Sequence, residues 1–439
     1  MNLSYLHQSS FKLGRLAVAS ALLCAGLAQA QSAPGVTLYG LADVGITSVS
    51  GLRAGTVTQV ASGIMEGSRW GIKGNEDLGG GYKAIFTLES RVELDTGANS
   101  SYPISGGQLS DRYSNAVLLG LPPVFAAPPA PTTQQLLDQL VPALASQKYG
   151  VNIGAYGSRF FDRQAFVGLI TPVGAVLAGR MYTPAFETSA SFDIMETQSG
   201  LAAGQLVTFP SILEIRQSNA IAYRVVKDGY AASLMYALGD RGETANDSYQ
   251  LLGFNTSYKA NGFAVGLGYN ATKNQLGQDS LKTTVIGASM TTGPHKFSGM
   301  AIQITDDNPA YMSDIGTAVL GATGSAPLAA LIQNAYTQAL MQDSRLYHVG
   351  YRYTTGPHTV SVAYNTYDDK RPYNADVKSY GTAYTYALSK RTDLNAVLVH
   401  FDNGDRGQVA PGGNGYIGGV TDKPGTDSTS IAFGIRHRF

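Results

Sequence analysis

The stretch Gly262-Phe263-Ala264-Val265-Gly266-Leu267-Gly268-Tyr269-Asn270 decides the fold. Phe263, Val265, Leu267 and Tyr269 share one face of an extended chain, and Ala264, Gly266, Gly268 and Asn270 share the other, because successive side chains of a strand point to opposite sides. The same period of two recurs. Tyr347, Val349, Tyr351 and Tyr353 oppose His348, Gly350 and Arg352; Tyr380, Tyr384, Tyr386 and Leu388 oppose Ser379, Gly381, Ala383 and Thr385. At the C-terminus Ile431, Phe433, Ile435 and Phe439 oppose Gly434, Arg436 and Arg438. One face is apolar and aromatic and the other is small, polar or charged. A sandwich turns the apolar face inward; a barrel in a bilayer turns it outward.

The rhythm of the connections separates these two architectures. Short turns fall near Asn75–Gly81, Thr171–Gly174, Lys227–Gly229, Ala260–Gly262, Thr292–His295, Thr355–His358 and Ser389–Arg391. Longer connections lie between them, near Val49–Glu66, Asp95–Ser158, Tyr182–Arg216, Asp306–Asp343, Asp369–Asp376 and Asn403–Thr426, with shorter ones near Gly239–Ser248 and Lys273–Ser280. Strict alternation of short and long predicts an all-β, antiparallel up-and-down transmembrane barrel of sixteen strands, with both termini on the short-turn side. A Greek-key sandwich does not keep that order. The tight-turn sequence Thr291-Thr292-Gly293-Pro294-His295 recurs as Thr354-Thr355-Gly356-Pro357-His358, two hairpins on. Within the long connections, Gln134–Ser146 and Pro327–Met341 read as helices.

Composition agrees. Of 439 residues only 14% are charged, against about a quarter in a typical soluble domain. The net charge of zero offers no basic excess for nucleic acid. Lys12 and Arg15, the apolar stretch Leu16–Ala28 and the Ala28-Gln29-Ala30 site predict a signal peptide, residues 1–30, cut between Ala30 and Gln31. Its removal takes two cations and no acid, leaving 29 cations against 31 anions, a net of −2. The single cysteine, Cys24, lies in that segment, so the mature chain, residues 31–439, has no thiol for disulfides, zinc or catalysis. The remaining histidines (His295, His348, His358, His400, His437) are scattered, without metal-ligand spacing. Gly412–Gly415 lacks the Lys-Ser/Thr of a phosphate cradle, and Asp402–Asp405 lacks the Glu that completes a calcium loop. Neither a metal, a cofactor nor an enzymatic reaction is expected.

The chain opens its strands with Val36-Thr37-Leu38-Tyr39-Gly40 and Asp43. Ser68–Gly81 follows, running into Ala84-Ile85-Phe86 and Leu88-Glu89-Ser90, and then Arg163–Leu169, Gly179-Arg180, Leu388–Thr392 and the terminal Phe439. In this order and spacing, which span nearly the whole chain, these residues resemble the general porins of Gram-negative β-proteobacteria. The resemblance implies a sixteen-stranded homotrimer of the outer membrane that passes small hydrophilic solutes and ions by diffusion. It implies contact with outer-membrane lipid and lipopolysaccharide, and recognition of Phe439 by the barrel-assembly machinery. It further implies that the third loop, 182–216, folds into the lumen. The connection 95–158 departs from the family in its length and its Pro/Ala content. It forms a long second outer loop, as 306–343 forms a long sixth.

Charge supplies the candidate site. A charge facing lipid near the midplane costs about 2–4 kcal/mol, which turns Arg69, Arg163 and Arg180 toward the lumen, with Arg216 at the root of the third loop. On this reading Arg180 opposes Leu177 and Met181, and Arg163 opposes Phe166. The loop carries Glu187, Asp193, Glu196 and Glu214. Basic wall residues facing acidic loop residues would filter solutes by size and charge, with a modest preference for anions. A porin preferring small organic acids, and a surface adhesin using the long loops, are the competing readings.

Overall fold

The computed structural model describes residues 35–99, 104, 108–124, 132–146, 159–197, 199–206, 215–239, 249–310, 312–412 and 419–439. The expected signal segment and cleavage site, and Glu214, lie outside them. Seventeen strands run β1 (Gly35–Leu52), β2 (Gly55–Ser62), β3 (Arg69–Gly79), β4 (Tyr82–Arg91), β5 (Gln164–Thr171), β6 (Gly174–Tyr182), β7 (Arg216–Lys227), β8 (Tyr230–Ala237), β9 (Leu251–Ala260), β10 (Phe263–Lys273), β11 (Asp279–Thr292), β12 (His295–Asp306), β13 (Gln342–Thr355), β14 (His358–Asp369), β15 (Val377–Ala387), β16 (Thr392–Asn403) and β17 (Ser428–Arg438). The helices are α1 (Asp111–Ser114), α2 (Thr133–Ser146), α3 (Pro184–Phe192), α4 (Met312–Thr323) and α5 (Ala326–Leu340).

Each strand pairs antiparallel with its neighbours, and β1 pairs with β17 to close the sheet. The upper half of β1 pairs with β2 and the lower half with β3. Those two segments therefore share one place in the wall, and the barrel has sixteen positions. The interruption at 63–68 has a local cause. The Asp43 carboxylate, on β1, accepts N–H groups from Ile64 (3.0 Å), Met65 (2.9 Å) and Glu66 (2.8 Å) in place of a ladder. Ile64 fills the space left by Gly45 and Gly434, where a Cβ would come within 2.8 and 2.9 Å of it. The connection read as Val49–Glu66 is consequently mostly strand. At the opposite rim Gly40 and Phe439 exchange two backbone hydrogen bonds of 3.1 Å, so the C-terminal residue completes the closure.

The period of two sorts inside from outside. Phe263, Val265, Tyr347, Val349, Tyr384, Phe433 and Phe439 are exposed on the outer wall, while their alternates face inward. The outer wall is uneven. On β12–β15 it carries Phe297, Tyr347, Tyr351, Tyr353, Tyr364, Tyr380, Tyr384 and Tyr386; on β1, β3, β4 and β5 aliphatic residues are the more numerous, with Val36, Leu38, Ile46, Ile72, Leu88, Val167 and Leu169 beside Trp70, Tyr82 and Phe86.

Beyond the long-loop rim, α1, α2, α4 and α5 pack together. Leu109, Tyr113, Leu137, Ile315, Val319, Ile332, Tyr336 and Leu340 form their apolar centre. The Tyr336 hydroxyl donates to the Tyr113 carbonyl at 2.7 Å, and burial pushes its phenol pKa up. Arg112 pairs with Asp369 at 3.0 Å and fastens the cap to the wall. The helices read from the sequence are present, at Thr133–Ser146 and Ala326–Leu340, with Met312–Thr323 in addition.

Candidate pore constriction

The third long connection leaves β6 at Tyr182 and returns at Arg216. Thr183 caps α3 by accepting the Phe186 N–H, and Pro184 opens its first turn. This helix lies inside the barrel against β8–β12, and all its residues except Ser191 are buried. The wall makes room with glycines. A Cβ at Gly266 would come within 2.7 Å of the Phe192 ring, and one at Gly253 within 3.0 Å of Pro184. Gly268, Gly287 and Gly350 would meet Thr188, Phe192 and Ile194 in the same way. The small inward faces quoted from the sequence are thus the seat of the loop.

Polar bonds then fix it. Ser298 donates to the Phe192 carbonyl at 2.5 Å, and the Ala185 N–H donates to Asn270 Oδ1 at 3.2 Å. The Ile194 N–H donates to His348 Nε2 at 2.9 Å, and His348 Nδ1 meets Asn365 Oδ1 at 2.6 Å. Asn365 also donates to the Leu201 carbonyl at 3.1 Å.

The loop acids have specific partners. Glu187 pairs with Arg224 at 2.7 Å; burial pushes its pKa up, and Arg224 opposes that shift. Asp193 accepts N–H groups from Met195 (2.8 Å) and Ala203 (3.0 Å). Glu196 pairs with Arg352 at 2.9 Å, whose guanidinium also bonds the Ile194 carbonyl. Glu187 and Glu196 therefore hold the loop to its seat, while Asp193 orders the loop itself. The sequence reading set the three acids against Arg69, Arg163, Arg180 and Arg216; the structure pairs Glu187 with Arg224 and Glu196 with Arg352, two inward residues that reading did not single out.

The arginines collect elsewhere, around β3–β7. Arg163 donates to Glu89 at 2.7 Å and to the Tyr182 hydroxyl at 2.9 Å. Arg216 reaches the same hydroxyl at 3.2 Å and lies 4.8 Å over the Tyr182 ring. Arg69 bonds Glu66 and lies 3.7 Å from Glu89. Tyr39 donates to Glu89 at 3.0 Å. Glu66 continues the network to Arg436 (3.2 Å) and Arg438 (3.3 Å), which share Asp393. Five guanidiniums, Arg216 among them through the Tyr182 hydroxyl, are thus joined to three carboxylates, Glu66, Glu89 and Asp393, with the Asp43 carboxylate a fourth close to Arg436.

Arg180 is placed differently from the sequence reading. It is in register with Ala165, on the side of the exposed Val176, whereas Leu177 and Met181 are buried inward. The β6–β7 pairing shifts register beside it, and a bulge re-aims side chains in this way. Its guanidinium donates to the Asp162 carbonyl (2.6 Å) and Ser218 Oγ (2.9 Å), tying the end of the second loop to β7. Phe166, read as outward, is also buried on the inner side.

The family model of the Gram-negative porins matches residues 17–406. The chain belongs to the Gram-negative porin family. It is accordingly an outer-membrane barrel, a channel for passive diffusion of small hydrophilic solutes and ions, and the family favours that reading over an adhesin. This porin is 25% identical over 438 residues to outer membrane porin protein 32 of Delftia acidovorans, covering 96% of this chain and 99% of that protein. It is 37% identical over 94 residues to an outer membrane porin protein of Bordetella pertussis, 18% of this chain and 24% of that one. Its fold is similar to that of an anion-selective porin from Comamonas acidovorans (TM-score 0.65, 22% identity, 93% of this chain and 100% of the other). It is also similar to that of OmpT of Vibrio cholerae (TM-score 0.56, 11% identity, 94% and 99%).

Glu66, Glu89, Tyr39 and Tyr182 were not among the residues that sequence reasoning selected for the site. The inward parity of Glu89 was legible from its strand, but its convergence with Arg163 and Arg69 depends on registers across three strands.

Proposed function

We propose that this porin passes anions in preference to cations, and that the filter is the network around Arg69, Arg163 and Arg216. The observation that carries this reading is the excess of guanidiniums over carboxylates in one connected group. The mature chain has a net charge of −2, so bulk charge cannot supply the preference. Charges in a narrow, partly desolvated passage act more strongly than on a wet surface. The similarity to a porin described as anion-selective supports the same reading. Glu187 and Glu196 act by holding the loop that narrows the passage, Asp193 by ordering it from within, and Arg180 by bracing the adjoining rim. No reaction is performed; passage is governed by sieving and electrostatic filtering. Reversal potentials of single channels under a KCl gradient test this, and a cation-selective wild type would refute it.

The functional unit in this proposal is a homotrimer. The more aliphatic outer wall of β1, β3, β4 and β5 is suited to protomer packing, and the tyrosine-rich wall of β12–β15 to lipid. Identical mobility of boiled and unboiled samples on a detergent gel, together with monomer alone on crosslinking, would contradict it. Contacts with lipopolysaccharide at the outer rim, and reading of Phe439 by the assembly machinery, belong to the same proposal. So does cleavage after Ala30, for which the intact mass of outer-membrane material should correspond to residues 31–439.

A further inference from the structure

We propose that the repeated Gly-Pro-His hairpins form two binding sites for the phosphodiester headgroups of glycerophospholipids in the periplasmic leaflet. The repeat seen in the sequence is a repeat of structure. Gly293 and Gly356 take nearly the same left-handed φ, +55° and +53°. The following proline carbonyls accept the N–H of Thr354 and of Ala387, both at 2.9 Å. His295 and His358 are then the first residues of β12 and β14, at the short-turn rim, which faces the periplasm in such barrels.

Both histidines point outward, on the faces of Phe297 and Val360. Each is flanked by two tyrosines of the next strand. His295 is in register with Tyr353 and bonds the Tyr351 hydroxyl through Nδ1 at 2.8 Å. His358 is in register with Tyr386 and bonds the Tyr384 hydroxyl through Nδ1 at 2.7 Å. The in-register tyrosine rings lie 5.1 and 5.2 Å from the two imidazoles. A barrel wall needs neither histidine nor this arrangement twice.

The chemistry follows from the hydrogen bond at Nδ1. When the tyrosine hydroxyl donates to Nδ1, the ring proton sits on Nε2; a protonated imidazole carries it there too. In that arrangement each site presents an N–H donor between aromatic rings, at the level of lipid headgroups. Below it the exposed Phe297, Val349, Val360 and Val362 offer an apolar surface for acyl chains. A phosphodiester oxygen above two acyl chains satisfies both parts, whereas a free anion would use only the first. His437 provides an internal comparison: it is also at this rim, but its Nδ1 meets Thr392 Oγ1 at 2.9 Å in place of a tyrosine.

Native mass spectrometry of the folded full chain, titrated with dioleoylphosphatidylglycerol, tests the proposal. The double variant His295→Phe with His358→Phe should bind the lipid about five-fold more weakly per site, the scale of one lost hydrogen bond. Its single-channel conductance should be unchanged. Tyr351→Phe with Tyr384→Phe, which removes only the hydroxyls, should show a smaller loss and keeps the test open if the histidine variant fails to fold. His437→Phe should have no effect. Equal lipid affinity in wild type and both double variants would overturn the proposal. So would displacement of the lipid by inorganic phosphate, which would mark a site for free anions.

Discussion

The loop inside the barrel and the helical cap outside it are both long connections of the same wall, yet they are held by different physics. The cap packs its own leucine, isoleucine and tyrosine side chains against one another. The loop segment from Pro184 to Glu196 sits in hollows left by Gly253, Gly266, Gly268, Gly287 and Gly350, and is fastened by bonds to wall residues. The cap is thus a small apolar core whose order depends on its own composition. The loop takes its position from the wall, so residues far from it in sequence decide where it sits. An atom added to the close-packed seat displaces the loop, whereas an atom lost from the helical core is felt within the cap.

Gly287→Val should break this contrast most severely. The new side chain overlaps Phe192, and overpacking of this kind costs about 1–3 kcal/mol. The loop should leave its seat, raising conductance and admitting larger sugars in liposome swelling. Arg352→Met comes next. It removes the Glu196 pair and the bond to the Ile194 carbonyl, and should give noisy conductance with a barrel of unchanged heat stability. A pH effect should be smaller. Burial raises the pKa of Glu187, so on acidification it becomes neutral sooner than a solvated glutamate and leaves the Arg224 charge uncompensated. Anion preference should therefore rise as pH falls, and Glu187→Gln should remove that part of the response. The stability sign is consistent: a carboxylate raised in the folded state weakens folding above its folded pKa, and that cost is relieved as pH falls. Ile332→Ala in the cap should have the least effect on the channel. Removing a buried isoleucine costs about 2–5 kcal/mol locally. Proteolysis of the outer loops should increase while conductance and selectivity stay as in wild type.

Much of the barrel was legible because a period of two and a rhythm of short and long connections are both local signals. Phe263 through Asn270 declared two faces, and Thr292–His295 declared a turn. What was not legible depended on departures from that regularity. Arg180 does oppose Leu177 and Met181, but those two apolar residues take the inward face, and beside the register shift the Arg180 guanidinium bonds Asp162 and Ser218. Leu177, Met181 and Phe166 are apolar but face inward, because this part of the inner wall buries them together with Met235 and Leu251. Glu187 and Glu196 were recognised, but their partners Arg224 and Arg352 lie on strands that only the fold brings beneath the loop. The glycines were read as the small face of strands; their role as a seat emerges only once Phe192 and Ile194 are placed above them.

The claim on which the account of function rests is that guanidiniums of the β3–β7 wall set the ion preference. Reversal potentials across a planar bilayer, under a KCl gradient, should be measured for the wild type and for Arg69→Gln with Arg163→Gln. Both substitutions preserve a hydrogen-bonding side chain while removing a charge. The account predicts an anion-preferring wild type and a clear shift toward cations in the variant, since Glu66 and Glu89 then lose close cationic partners. An unchanged reversal potential in a correctly assembled variant would show that these arginines are structural ion-pair partners remote from the filter, and would contradict it.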